Sequence, residues 1–304
     1  MLPVDLHAHS TISDGMLPPG EVVARAAGRG CRLFALTDHD DIRGLADAAA
    51  EAARQGMAFL PGVEVSVSWR RHTIHIVGLG IDPANPVLLA GLAGVRAGRD
   101  ERAVRMAAEL AKVGIPDMLE GARKFADNPE MIGRAHFARH LIERGIARDM
   151  KAVFKRFLAK GKPGYVAHEW ASLADAVGWI KAAGGVAVIA HPGRYDFGRP
   201  TLNELIEEFK AAGGEAIEVV SGSHHPSDTE RFARLAEVHG LMASVGTDYH
   251  ATGEGAREPG VLADLPAGPL PVWTRWPHLQ AIVASAAAHM DPASFPQTEP
   301  DQAC

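Results

Sequence analysis

Six histidines and three carboxylates recur along this chain, nearly all of them directly after a short apolar run: His7, His9 and Asp14 in VDLHAHSTISDG, His39 in LFALTDHDD, Glu64 in FLPGVEVS, His75 in TIHIVGLG, His191 in VAVIAHPG, and Asp248 and His250 in ASVGTDYH. An apolar run that ends in such a residue reads as a buried strand delivering it to its C-terminal tip. His7-Ala8-His9 places two imidazoles on one side of an extended strand, where they can chelate one cation. A lone H-x-H carries little. Joined to Asp14 and to T-D-H-D, G-V-E, A-H-P-G and T-D-Y-H, it describes a polynuclear metal site on one rim. All nine candidates offer nitrogen or oxygen and none a thiolate, which suits Mn2+, Fe2+, Co2+ or Zn2+ in a catalytic site better than a structural zinc. A carboxylate can bridge two ions, and Glu64 is the candidate. Ions held ~3.5 to 4 Å apart activate water and clamp a phosphoryl group during in-line displacement.

The elements that must position these residues alternate. Val4–Leu6, Leu33–Thr37, Ala58–Val63, Val186–Ala190, Ala216–Val220 and Met242–Gly246 read as strands, with helices over Pro19–Gly28, Ile42–Gln55, Leu173–Ala183, Leu202–Ala212 and Thr229–His239. Alternation predicts a parallel sheet, closed or nearly closed into a barrel. Val65–Trp69 and Thr73–Leu79, joined at Arg70–Arg71, read as a hairpin that interrupts it. Residues 84–168 contain helix-like segments (Val87–Val113, Pro116–Phe125, Ile132–Gly145, Met150–Ala159) and no clear strand, and read as a helical insertion over the C-terminal rim. The expected division is therefore a discontinuous barrel, residues 1–83 and 169–290, the insertion, and a polar tail, residues 291–304.

Composition narrows the function. The chain has 304 residues, 47% of them apolar, enough for a sizeable core. A net charge of -6 argues against broad basic surfaces that coat nucleic acid, though not against a local anion pocket. Two cysteines, Cys31 and Cys304, suggest no disulfide framework, so a cytoplasmic location is expected. No signal peptide or membrane span is evident.

The motifs at 7–9, 14, 37–40, 62–64, 75, 190–193 and 247–250 resemble those of the PHP (polymerase and histidinol phosphatase) family. The resemblance implies an α/β fold, a distorted (β/α)7 barrel, with a trinuclear metal site on the rim. It implies one ion on His7, His9, Glu64 and Asp248, a second on Glu64, His75 and His191, and a third on Asp14, His39 and His250. Two to three divalent ions are expected, Mn2+ first, then Fe2+, Co2+ or Zn2+.

IGRAHFAR at 132–139 and GKPGYV at 161–166 resemble the bacterial 3',5'-nucleoside bisphosphate phosphatase group, which also includes short-RNA 5'-to-3' exonucleases; Ala135 stands where that group often carries proline. This implies a small nucleotide substrate or a short RNA, with no membrane and no stable protein partner. Two further readings stay open, hydrolysis of histidinol phosphate and a non-catalytic metal-loaded binding module. Arg134, Lys160 and Arg194 are candidates for the second phosphate, Tyr165 or Phe137 for stacking on the base, and His136 for substrate contact. A metal-linked water, His224 or Asp14 could assist the leaving group. Asp40 or Asp41 is the expected N-cap of the following helix, with Asp38 as a supporting hydrogen-bond partner, and His72 is expected to face solvent. RAGRDERAVR at 96–105 reads as a solvated helix face.

Overall fold

A computed structural model of the chain describes residues 3–255 and 257–289; the expected tail, 291–304, lies outside the described residues. The strands are β1 (Val4–Asp5), β2 (Leu33–Leu36), β3 (Ala58–Trp69), β4 (His72–Leu79), β5 (Ala171–Ser172), β6 (Val186–Ile189), β7 (Ala216–Ser221) and β8 (Met242–Gly246). Their order is β1-β2-β3-β4-β6-β7-β8, with β5 beside β3. β4 runs antiparallel to both neighbours, and the other pairings are parallel. The amide of Leu6 donates to the Val245 carbonyl (3.0 Å) and that of Asp248 to the His7 carbonyl (2.8 Å). These bonds join β8 to β1, so the sheet is a nearly closed barrel.

The expected hairpin is real, and β3 is one continuous strand through Glu64 rather than two segments. Its two-residue turn has Arg70 and Arg71 at φ 49° and 79°, as a type I′ turn requires. Gly62 permits β3 to pass, because a Cβ there would lie 2.7 Å from Thr37 Cγ2 and 3.0 Å from the Leu36 carbonyl.

The helices are α1 (Pro19–Gly28), α2 (Leu45–Arg54), α3 (Pro86–Ala97), α4 (Arg99–Lys112), α5 (Met118–Arg123), α6 (Arg134–Glu143), α7 (Met150–Val153), α8 (Leu173–Ala182), α9 (Arg199–Ala211), α10 (Pro226–His239) and α11 (Pro277–His289). The single helix expected over Val87–Val113 is two, broken at Gly98. α2 starts at Leu45 after Gly44, with no side-chain cap, so neither Asp40 nor Asp41 is the N-cap. Their carboxylates are engaged elsewhere: Asp40 accepts from the Ser66 amide and hydroxyl, and Asp41 from Arg43.

Two buried clusters divide the described residues. Leu88, Leu92 and Val95 of α3 pack in the barrel core. A second cluster gathers Ala103, Met106 and Leu110 of α4 with Phe137 and Leu141 of α6 and Val153 and Leu158. This helical layer is tied to the rim. Arg139 donates to the Asp14 carbonyl (2.7 Å), Asn128 to the Ile12 carbonyl (2.8 Å), and Arg96 to the Asp40 carbonyl (2.7 Å).

Candidate metal centre and active site

All nine candidate ligands converge. His7, His9, Glu64, His191 and Asp248 are buried, and Asp14, His39, His75 and His250 are partly exposed. Most arrive as the apolar runs suggested, just beyond β1, β2, β6 and β8. Glu64 and His75 do not. They sit inside β3 and β4, on the same face of the hairpin, since Glu64 pairs with Val77 and Ser66 with His75. His72 falls on the opposite parity and is exposed.

Three groups of donor atoms lie within 4.8 Å of one another: His7, His9, Glu64 and Asp248; His9, Asp14, His39 and His250; and His39, Glu64 and His75. The third has His39 where the resemblance implied His191. His191 is nonetheless adjacent, with Nε2 2.9 Å from Glu64 Oε1 and 3.3 Å from His75 Nδ1. Glu64 is the shared carboxylate, as its two oxygens face different imidazoles: Oε1 lies 3.0 Å from His75 Nδ1, and Oε2 2.8 Å from His39 Nδ1.

The donor set fits divalent cations. His7 Nε2 and His9 Nε2 approach to 3.2 Å, an arrangement of two lone-pair or N–H groups that a cation between them resolves. Buried atoms of His9, Asp14, His39, Glu64, His191 and Asp248 make no well-formed hydrogen bond, although imidazoles and Arg194 stand close to the carboxylates, and poorly satisfied polar atoms of this kind are costly unless something binds them. The protons are spread unevenly. Burial alone would raise the Asp14, Glu64 and Asp248 carboxyls, but neighbouring imidazoles, with Arg194 beside Asp248, hold all three well below the usual range. Burial, with His250 and His39 alongside, pushes His9 down to about 3, whereas Asp14 and Asp248 outweigh burial and lift His250 to about 9. Divalent ions would take the place of those protons.

Side chains that are not themselves donors to the cluster hold it in shape. Glu218 on β7 is buried; its Oε1 lies 2.6 Å from His7 Nδ1 and its Oε2 accepts from the His191 amide at 2.5 Å. A carboxylate on the far nitrogen fixes a ligand histidine's tautomer and ring plane. Asp38 accepts from the Ser10 amide and hydroxyl and from the Ser13 hydroxyl (2.6–2.8 Å), pinning the loop that carries Asp14. Burial pushes this carboxyl up to about 6. Gly246 ends β8 because a Cβ there would sit 2.2 Å from His7 Cβ. His191 and Asp248 hold left-handed backbone at φ 27° and 53°, a cost of about 1–3 kcal/mol each that the surrounding packing must offset.

A cavity of about 400 Å³ opens on the cluster, with Asp14, His39, His75 and His191 at its floor. Arg99, Arg102, Arg134 and Arg194 line it with Trp170, Phe154 and Tyr195. Arg134 and Arg194 were expected there; Arg99 and Arg102 correct the reading of 96–105 as a solvated face, because both are buried. They fall on the stripe that Ala103, Met106 and Leu110 continue, and that register was the available signal. Both guanidiniums lie against the Trp170 ring (4.8 and 5.3 Å), and Arg134 lies over Phe154 at 5.5 Å. Arg99 pairs with Asp40, and Arg194 pairs with Asp248. Burial beside Arg134 and Arg99 lowers Arg102 to about 9, the mark of a wall that calls for an anion.

Other candidates are placed elsewhere. Lys160 is exposed and donates to the Arg71 carbonyl at the hairpin tip (3.1 Å), outside the cavity lining. His136 is buried, and its Nδ1 accepts from the Gly133 amide (3.0 Å), capping α6. His224 uses both ring nitrogens on backbone groups, the Val219 carbonyl (3.0 Å) and the Gly193 amide (3.1 Å), and so has none left for a leaving group. Phe137 lies in the core of the helical layer, and Tyr165, beside Arg134 and Arg102, is not among the lining residues. Tyr195 was missed: its hydroxyl accepts from the His75 amide (2.9 Å) and keeps its own proton to donate.

A barrel whose rim gathers imidazoles and carboxylates under a helical layer defines a class of metal-dependent hydrolases. The chain belongs to the PHP family, whose domain model matches residues 5–221. It is 60% identical over 273 residues to a 3',5'-nucleoside bisphosphate phosphatase of Chromobacterium violaceum, covering 90% of this chain and 96% of that one. It is 42% identical over 274 residues to the 5'-3' exoribonuclease Rnm of Escherichia coli, covering 90% and 93%. A solved Chromobacterium violaceum structure, described as an amidohydrolase with bound sulfate and no metal, superposes with a TM-score of 0.88 at 58% identity, covering 92% of this chain and 96% of that one. Among the described residues, no helix is long and apolar enough to cross a membrane.

Proposed function

We propose that this protein is a metal-dependent phosphatase that removes the 3'-phosphate of a nucleoside 3',5'-bisphosphate, giving a nucleoside 5'-monophosphate and phosphate. One observation carries the reading: a single cavity joins an imidazole–carboxylate floor to a wall of Arg99, Arg102 and Arg134. That pairing suits a substrate with two phosphates, one at the floor and one at the wall. The similarity to the Chromobacterium phosphatase supports it.

The residues divide the work. His7, His9, Glu64 and Asp248 would hold one ion; Glu64, His75 and His191, with His39 in reach, a second; Asp14, His39 and His250 a third. Mn2+ is the proposed ion. When bound, such ions supply Lewis-acid charge to the phosphoryl oxygens and lower the pKa of water. Arg134 and Arg102 present guanidinium forks to the other phosphate. Arg194, at the floor, is placed to turn from Asp248 to a phosphoryl oxygen. The Tyr195 hydroxyl can donate to an oxygen at the same end. Trp170 and Phe154 offer aromatic surface for the base.

A second reading is cleavage of a short 5'-phosphorylated RNA, which the similarity to the Escherichia coli exoribonuclease favours. The bond relation is the same. In a bisphosphate the 3'-phosphorus is terminal; in a strand it joins the first and second nucleotides. Assay of adenosine 3',5'-bisphosphate beside a 5'-phosphorylated dinucleotide decides between them. The expected products of the former are phosphate and adenosine 5'-monophosphate. An inert bisphosphate beside a cleaved dinucleotide would overturn the first reading, and hydrolysis of histidinol phosphate alone would overturn both.

A further inference from the structure

The functional site uses little of the charge carried by the helical layer. Between Arg144 and Lys162, seven of nineteen residues are Lys or Arg and one is acidic, a net +6 in a chain whose total is -6. All seven cations are exposed. Among the described residues only Arg148 forms an ion pair, with its neighbour Asp149 at 2.8 Å. The stretch lines a groove of about 850 Å³, with Arg148, Lys151, Lys155 and Arg156 on its walls and Ile146 and Ala152 between them.

One short segment of the chain contributes to both the cavity and the groove. Phe154 lines the cavity beneath Arg134, and the next two residues, Lys155 and Arg156, line the groove. Lys160 reaches the Arg71 carbonyl on the hairpin, whose Thr73 and His75 line the cavity from the other side. Arg156 also lies over Phe157 at 4.8 Å, a half-buried ring that packs against the core of the helical layer beside the groove.

We propose that this groove binds the single-stranded polynucleotide lying 3' of the scissile phosphate, so that the enzyme holds strands longer than its cavity can contain. The proposal rests on the strand-cleaving reading above. A positive groove that tracks the phosphate backbone is how proteins hold single strands without reading sequence, and here the cationic walls supply that electrostatic part. The rest of the chain carries net negative charge, so such binding must be local. An anionic membrane fits less well: among the described residues the exposed large apolar side chains are Met16, Val87, Leu89, Val104, Val113, Val238, Leu270 and Ile282, all outside residues 144–162, so the groove presents no exposed large apolar side chain to insert.

The test uses the metal-loaded protein and a 3'-fluorescent RNA of about a dozen nucleotides, with a 5'-phosphate and a non-hydrolysable first linkage. Anisotropy is read across a salt series for the wild type, Lys151→Glu/Lys155→Glu, and the milder Lys151→Gln/Lys155→Gln. The charge-reversed variant is expected to bind at least about tenfold more weakly at low salt, and the neutral variant to lower the slope of log K against log salt by about 1.4, for two lost contacts to a single strand. Both should hydrolyse adenosine 3',5'-bisphosphate and the 5'-phosphorylated dinucleotide at wild-type rates. Unchanged binding in both variants would overturn the proposal. So would wild-type binding of the long RNA no tighter than that of the dinucleotide, or retention on phosphatidylserine vesicles without RNA binding. If the dinucleotide is not cut but the long RNA is bound and lost as expected, the groove stands and the strand-cleaving reading fails.

Discussion

The barrel rim and the helical layer above it present opposite charges to one cavity. On the rim, Glu64, Asp14 and Asp248 are held ionised among imidazoles, and several of their buried oxygens make no well-formed hydrogen bond. On the helical layer, Arg99, Arg102 and Arg134 face the same space, and among the described residues Asp40 is the one acid paired with them. A floor that takes cations and a wall that takes anions, in one cavity, define a ligand by its two ends rather than by its middle. The two regions differ as well in how they are held. Most candidate rim ligands stand on or just beyond a strand of the nearly closed sheet, with Asp14 on a loop, while the arginines stand on helices anchored to rim loops through Arg139, Asn128 and Arg96. The rim should therefore govern whether chemistry occurs, and the helical layer which substrate is brought to it.

That division can be broken at its strongest point. Glu64→Gln removes the carboxylate charge from both donor groups that use Glu64 and replaces one of its two oxygens with an NH2 that cannot bind a cation. We expect turnover to fall by at least about 10³-fold for the bisphosphate and the dinucleotide alike, with metal content reduced by elemental analysis. Loss confined to one substrate would contradict a common floor. Arg102→Ala should act in the opposite way. A charged hydrogen bond contributes about 1.5–3 kcal/mol, so kcat/KM for the bisphosphate should fall roughly ten- to a hundredfold through KM. A nucleoside 3'-monophosphate, which lacks the second phosphate, should be hydrolysed as well as by wild type.

Glu218 tests whether the rim depends on residues that touch no substrate. With Glu218→Gln, one carboxylate oxygen becomes an amide NH2, so either the bond to His7 or that to the His191 amide is lost. Metal affinity measured by competition with a chelating dye should fall about 10- to 100-fold. Turnover should be largely recovered at high metal concentration. A defect that metal cannot rescue would mean that Glu218 acts on the reaction itself.

The rim was legible in the sequence because its rules are local. An apolar run followed by His, Asp or Glu specifies a strand and what its tip carries, and this placed His7, His9, His39, His191, Asp248 and His250 correctly. Glu64 and His75 were recognised by type, but their mid-hairpin position follows from the antiparallel register, which no local pattern fixes. Glu218 was missed because inside AIEVV it looks like an interruption of a strand. The arginine wall was half legible. Arg134 and Arg194 stand beside recognisable motifs, whereas Arg99 and Arg102 were assigned to solvent from their acidic neighbours. Asp100 and Glu101 face outward while the arginines share the buried stripe with Met106 and Leu110, so neighbours in sequence were a poor guide to neighbours in space. Histidines misled most. His136 and His224 look like chemistry by residue type, and the structure uses each to satisfy backbone groups.

His136 can make that structural role measurable. Burial lowers its pKa to about 4 from an ordinary value of 6.5, so between these values the unfolded chain binds the extra proton. Its contribution to stability is complete above about pH 6.5 and is lost as pH falls toward 4, by an amount on the order of 3 kcal/mol. Urea unfolding at pH 7 and pH 5 should show wild type losing more stability on acidification than His136→Gln. Equal losses would show that the neutral imidazole is not what caps α6.

The smallest effect is expected at Lys160, where the sequence pointed to phosphate binding. Its side chain is exposed, lies outside the cavity lining and spends its ammonium on the Arg71 carbonyl. An exposed contact of this sort contributes little, and the ammonium has no route to the floor that Arg102 and Arg134 do not already occupy more closely. Lys160→Ala should therefore change KM for the bisphosphate by less than about twofold, within the range of surface substitutions. A KM rise matching that of Arg102→Ala would mean that the helical layer closes on its substrate and carries Lys160 inward, and the wall would then include a residue that its resting geometry leaves outside.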